Sequence, residues 1–169
     1  FYKLSFNRKF NKSNLTALYV GAVTRQKGIF ELIKIAKCHP DIQFRVIGEV
    51  MGDLVGYKNF PNNFIMHGSL QRPRVLKYMY CSDFFIFPSH TEGFPFVILE
   101  ALRCGLPIIS TKVGCLPTVL NNKGSFLCDV SNVDQFNNCI KILITNSNIR
   151  REMSEYNTFY SHNFNYSNV

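Results

Sequence analysis

Two carboxylates, Glu92 and Glu100, stand eight positions apart across the stretch Glu92-Gly93-Phe94-Pro95-Phe96-Val97-Ile98-Leu99-Glu100. An ionised carboxylate accepts several hydrogen bonds at once, so each can grip a vicinal diol. Pro95 suits the first turn of a helix, where a missing N–H costs nothing. The spacing therefore predicts a helix over 95–103, stopped by Gly105. Free amides in its first turn, at the positive end of the helix dipole, form an anion site. Glu92 then sits at the loop mouth. Glu100 lies inside the helix among Val97, Ile98, Leu99, Ala101 and Leu102. A buried carboxylate without a partner costs several kcal/mol, so Glu100 needs a ligand hydroxyl, a backbone partner or water. Glu92 has a plainer alternative, capping the helix.

Two cations extend the pattern. Lys27 follows a predicted strand and opens a predicted helix, with Arg25 two residues earlier. A free cation at a helix N-terminus opposes the dipole, which favours a bound phosphate as the partner of Lys27. Arg25 is equally compatible with solvent. Gly93, Phe94 and Pro95 shape the loop, and the Phe94 N–H and the following amides face the anion; Phe94 is also a plausible packing residue. His67 and Ser69 close the third strand, where a lone histidine is more often structural. His90 fits an incidental position on the same loop as Glu92.

The elements that position these residues alternate in type. Strands are predicted over 14–23, 42–48, 64–68, 83–87, 107–111 and 125–128, and helices over 27–38, 74–81, 95–103, 133–144 and 149–159. Residues 49–63, with Gly52 and Gly56, read as a loop. Near-continuous apolar strands, such as Asp83-Phe84-Phe85-Ile86-Phe87, imply coverage on both faces. The expected fold is therefore α/β, a Rossmann-like parallel sheet with helices on both faces. Right-handed crossovers place ligands at the carboxyl ends of its strands, where the singled-out loops fall.

At 169 residues, residues 1–169 fit one domain, and 46% hydrophobic with 18% charged residues is ordinary for a globular protein. No apolar run reaches membrane-spanning length. The chain opens on Phe1 and carries no signal-like segment, which reads as a fragment. Six scattered cysteines without a Cys-x-x-Cys pair favour reduced thiols in a cytoplasmic setting over a disulfide framework or a metal site. The net charge of +8 is uneven: residues 1–40 hold eight basic side chains against Glu31 alone. That end suits phosphates, nucleic acid or an anionic membrane face, with Arg8, Lys9 and Lys12 as the lipid-facing candidates, or is simply a solvated surface.

The ordered motifs resemble those of group 1 (family 4) retaining glycosyltransferases with the GT-B fold. Glu92 to Glu100 resembles the family's Glu-x7-Glu motif, and Gly21 to Gly28 its first strand and Lys-Gly turn. Phe44 to Gly48 and Ile65 to Gly68 resemble its second and third strands. Cys104-Gly105-Leu106-Pro107 is similar to its Ala-Gly-x-Pro turn, and Val113-Gly114 with Pro117 to its late Gly-Gly-x-Pro loop. Asn163-Phe164-Asn165-Tyr166 resembles the family's Phe-Ser-Trp segment. The resemblance implies the carboxyl-terminal, donor-binding half of such an enzyme, with the acceptor domain and catalytic histidine elsewhere, so that this piece alone transfers little or nothing. It implies Glu92 and Lys27 as catalytic residues, and Arg25, Lys27, Glu92, Gly93, Phe94, Pro95 and Glu100 as donor-binding. Glu100 takes the ribose, Glu92 the sugar and Lys27 the diphosphate, while the family's phosphate Arg falls on Ala22. Two departures, Cys115 for the second Gly and Thr118 for the usual Glu, alter the surroundings of the sugar. The implied substrate is a UDP-sugar or GDP-sugar, with no cofactor and no metal. The implied acceptor is a saccharide or lipid-linked molecule, in surface polysaccharide biosynthesis by default, at the cytoplasmic face, with peripheral membrane contact as one option. The competing readings are a nucleotide- or nucleic-acid-binding Rossmann-like module, though no aromatic-basic interleaving favours nucleic acid, and a GT-B-type sugar epimerase.

Overall fold

A computed structural model describes residues 10 and 14–164. Lys3, Arg8, Lys9 and Lys12 of the basic end, and Asn165 and Tyr166 of the terminal aromatic segment, lie outside the described residues. Six parallel strands form one sheet in the order β3-β2-β1-β4-β5-β6. They are β1 (Thr16–Val20), β2 (Gln43–Ile47), β3 (Phe64–Met66), β4 (Phe84–Phe87), β5 (Ile108–Thr111) and β6 (Ser125–Cys128). The helices are α1 (Ile29–Cys38), α2 (Arg72–Cys81), α3 (Phe96–Arg103), α4 (Leu116–Val119), α5 (Val133–Thr145) and α6 (Ser147–Tyr160).

The chain moves outward from β1 to β3 and then crosses to β4 on the other side of β1. Right-handed crossovers in opposite directions put α1 and α3 on opposite faces. α5 packs on α1 and α6 on α3, so both faces are covered. Burial follows: Ala17, Leu18, Tyr19, Phe84, Phe85 and Ile86 are fully enclosed. Between β1 and β4 the strand order reverses, which opens a crevice at their carboxyl ends.

Buried polar groups fix the register. The Asp83 carboxylate accepts the Thr16 N–H at 2.7 Å, bonding β4 to β1 just before their ladder begins. That places Asp83 before the strand rather than within it. Asn157 of α6 donates to the Leu106 and Gly124 carbonyls at 2.7 and 2.8 Å, joining the entries to β5 and β6. Buried Arg150 donates to the Leu143, Ile144 and Phe10 carbonyls, gathering the α5–α6 corner.

The predicted elements are present, with shifted ends. β1 is half the predicted length, because Gly21 to Thr24 turns away into the crevice. The helix expected from Lys27 begins at Ile29, since Arg25–Lys27 forms a separate 3-10 turn capped by the Thr24 side chain. A 3-10 turn at Gly52–Leu54 lies in the stretch read as loop. α4 is an added short helix, with Pro117 in its first turn. Pro95 caps α3 from outside rather than occupying its first turn. Its extended backbone (φ −79°, ψ 100°) delays the helix by one residue.

Candidate functional site: the crevice between β1 and β4

Three loops meet above the reversal point, and glycine makes two of the contacts possible. Gly28 adopts a left-handed backbone (φ 73°), and a Cβ there would lie 1.9 Å from the Pro88 carbonyl oxygen. Gly114, also left-handed (φ 53°), would bring a Cβ within 2.1 Å of the Glu92 carbonyl oxygen. The turns after β1, β4 and β5 are therefore in backbone contact. Thr111 reinforces this by donating its hydroxyl to the Ser89 carbonyl at 2.5 Å, and Ser89 in turn donates to the Thr91 carbonyl.

This convergence joins Lys27 to Glu92. Lys27 Nζ donates to Glu92 Oε1 at 2.7 Å, with the lysine side chain 28% exposed and the glutamate 7%. Glu92 is thus neither a helix cap nor a solvated acid, and Lys27 is not a free cation. Beneath them, Tyr19 donates its hydroxyl to the Ala22 carbonyl at 2.8 Å. Burial raises the Tyr19 pKa, and the Glu92 charge adds to the rise. The methyl of Ala22 leaves this wall without the arginine that the resembled motif carries.

Glu100 differs from expectation. Its carboxylate is not unpaired: Arg72 Nε donates to Glu100 Oε1 at 2.7 Å. The cause is the start of α2 at Arg72, two residues before the predicted 74, which carries this arginine to α3. Arg72 is 61% exposed and Glu100 20% exposed, so the pair is open to exchange with a ligand. Arg25 is exposed and its guanidinium lies 4.7 Å above the Phe30 ring, which holds it against α1. Gly93 is exposed, and a Cβ there would meet nothing. Phe94 and Phe96 are 48% and 59% exposed and stack edge-on at 5.5 Å, so Phe94 is not a packing residue of the core.

The two helix N-termini at the crevice differ. Glu31 stands in the first turn of α1, whereas α3 has no acidic residue in its first turn and no side-chain cap. The Phe96 and Val97 amides come before any intrahelical partner is available. Positive potential is therefore concentrated at α3, beside Lys27.

His90 is more than incidental. Its backbone N–H donates to the Gln26 carbonyl at 2.9 Å, and its Nε2 lies 3.2 Å from Glu31 Oε2, off the line of a good hydrogen bond. It ties the Glu92 loop to the Lys27 turn. Sequence carried no signal for this, because Glu31 and His90 are 59 positions apart and meet only through the fold. His67 ends up on the far wall, with Nδ1 3.3 Å from the Tyr78 hydroxyl. Burial, then the Arg45 charge, lowers its pKa.

Comparison with known proteins identifies the family. The profile described as "Glycosyl transferases group 1" matches residues 2–158. A capsular polysaccharide biosynthesis glycosyltransferase from Staphylococcus aureus is 29% identical over 152 residues, covering 84% of this chain and 40% of that protein. The chain spans less than half the length of the curated relatives it matches, 45% and 40% in two cases. Among solved structures, HepE from Anabaena in complex with UDP and glucose superposes with a TM-score of 0.80 at 20% identity, over 89% of this chain and 44% of that one. The C-terminal domain of a group 1 glycosyl transferase from Francisella tularensis gives 0.78 at 22% identity, over 88% of this chain and 85% of that one. With 157 of 169 residues inside the matched profile, this chain belongs to the glycosyl transferases group 1 family.

Proposed function

We propose that this chain is the donor-binding, carboxyl-terminal half of a retaining GT-B glycosyltransferase, a single domain spanning residues 1–169. The observation that carries the reading is the Lys27–Glu92 pair, 2.7 Å apart, at a strand-order reversal beside an uncapped helix N-terminus. A diphosphate lies across the Phe96 and Val97 amides, with the Lys27 ammonium on its free oxygens. Binding draws Lys27 off Glu92, and Glu92 then accepts from the hydroxyls of the donor sugar. Glu100 exchanges Arg72 for the ribose diol. Arg25 leaves Phe30 to supplement the phosphate contact that Ala22 cannot make. Gly93, Phe94 and Pro95 shape the wall between sugar and phosphate.

The donor is a UDP-sugar or GDP-sugar. Relatives include a capsular polysaccharide glycosyltransferase and a fold neighbour holding UDP and glucose, which supports a nucleotide-sugar donor and surface-polysaccharide assembly. The acceptor, a saccharide or lipid-linked molecule, is held by the other half of the protein at the cytoplasmic face. In the reaction the bond from the anomeric carbon to the diphosphate oxygen breaks. The acceptor oxygen bonds to that carbon on the same face, and its proton passes to the departing phosphate oxygen. Lys27 and the α3 dipole stabilise the charge developing there. No cofactor enters this scheme.

Titration calorimetry with UDP, GDP and their sugars tests the reading. Lys27→Ala should weaken diphosphates more than nucleosides, and Glu100→Ala should weaken both. Unchanged affinity in both variants removes the assignment.

A further inference from the structure

A second cationic site lies away from the crevice, between β2 and α2. The burial pattern of β2 places Phe44 and Val46 against one buried face, while Gln43 and Arg45 share the other and are only half-buried. An internal parallel strand covered by a helix normally carries apolar residues on both faces. Here it carries an arginine at its centre, with Leu18 of β1 and Ile65 of β3 as its register partners.

Arg45 is held in place. Its Nε donates to the Gln43 side-chain oxygen at 2.8 Å, and its guanidinium lies 5.6 Å from the centroid of the Tyr78 ring. Above it, α2 presents Arg74 and Lys77, both exposed and three residues apart on one helical face. Arg45, Arg74, Lys77, Leu70, Tyr78 and Cys81 line a groove of about 450 Å³. None of the three cations forms an ion pair with a described residue, and α2 contains no acidic residue. Like charges at this helical spacing repel by a few tenths of a kcal/mol, and a third cation facing them adds to that cost. The arrangement lacks a counter-charge, yet it holds a guanidinium in fixed orientation over a groove large enough for a small polyanion. Its positive field also reaches His67, the other partner of Tyr78.

We propose that this groove binds a phosphate-bearing group, with Arg45 as the fixed fork and Arg74 and Lys77 as flexible outer contacts. A guanidinium matches two phosphate oxygens at once, and lysine adds a point charge. The phosphate belongs either to a phospholipid head group or to a soluble polyphosphate. The site is independent of the donor reading.

Two probes separate the sources: inorganic tripolyphosphate followed by calorimetry, and phosphatidylglycerol-containing vesicles followed by co-sedimentation against phosphatidylcholine alone. The R45Q/R74Q/K77Q triple variant and the R74Q/K77Q double variant are compared with K34Q/K37Q. The latter removes two exposed lysines from α1 on the opposite face. Because Arg74 and Lys77 are exposed, the double variant keeps the test valid if Arg45 proves necessary for folding. Loss of roughly tenfold or more in affinity for one probe in the groove variants, with less than about twofold in K34Q/K37Q, supports the site and names its source. Equal losses in all variants, retained affinity in the groove variants, or no binding of either probe overturns it. UDP binding should be unchanged throughout.

Discussion

Replacing Glu92 with glutamine should strengthen the binding of UDP while weakening the preference for its sugar-bearing form. In the unliganded protein Lys27 donates to Glu92 at 2.7 Å, and a diphosphate has to draw the ammonium away. A hydrogen bond between charged groups contributes about 1.5–3 kcal/mol. Lys27 is more than a quarter exposed, so solvent screening lowers this to about 1–2 kcal/mol. Glutamine keeps the shape and removes the charge. At about 1.4 kcal/mol per tenfold, UDP should bind roughly 5- to 30-fold tighter to Glu92→Gln. The UDP-sugar should gain less, because its hydroxyls lose a charged acceptor. The ratio of UDP-sugar to UDP affinity therefore falls. Calorimetry with UDP and UDP-glucose reads both quantities, and circular dichroism confirms the fold. Equal or weaker UDP affinity in Glu92→Gln refutes the competition between Glu92 and phosphate.

Further substitutions test the scaffold. Gly28→Ala forces a Cβ to within 1.9 Å of the Pro88 carbonyl and a side chain into left-handed backbone. It should lower the thermal midpoint and abolish UDP binding together, by at least about 2 kcal/mol of stability. Asn157→Ala leaves the Leu106 carbonyl without its buried donor and the Gly124 carbonyl with only the Ile108 N–H, and should cost about 1–3 kcal/mol in urea unfolding, with UDP affinity little changed in the folded fraction. Burial lowers the His39 pKa below its ordinary 6.5, against an opposing hydrogen bond from its Nε2 to the Asn137 side-chain oxygen. Below 6.5 the unfolded chain binds the proton more readily than the folded one, so stability should fall as pH drops and level off above it. His39→Gln should flatten that slope in pH-dependent urea midpoints; an unaltered slope assigns it to other groups.

Much of the sheet was legible because its strands are apolar on both faces. The run from Phe84 to Phe87 needs no partner to be recognised, and it is buried throughout. Element ends were less legible where tertiary contacts decide them. Pro95 looked like a first-turn residue, but its backbone stays extended and α3 starts at Phe96. Lys27 and Glu92 each stand out in the local sequence pattern. Their mutual ion pair was not legible there, since it depends on Gly28 and Gly114 letting three loops touch. The Arg72–Glu100 and His90–Glu31 contacts were invisible for the same reason: each joins residues on separate elements. Arg45 read as part of an apolar strand, and only the packing of α2 beside β2 gives its guanidinium a place.

The most direct measurement is amide chemical-shift mapping of the isotope-labelled chain during titration with UDP and UDP-glucose. The account predicts the largest changes at Phe96 and Val97 at the start of α3, at Gly28 beside Lys27, and at Gly93 and Glu100. Shifts confined to the opposite edge of the sheet, around Asp41 and Asn63, or none at millimolar nucleotide, would contradict it.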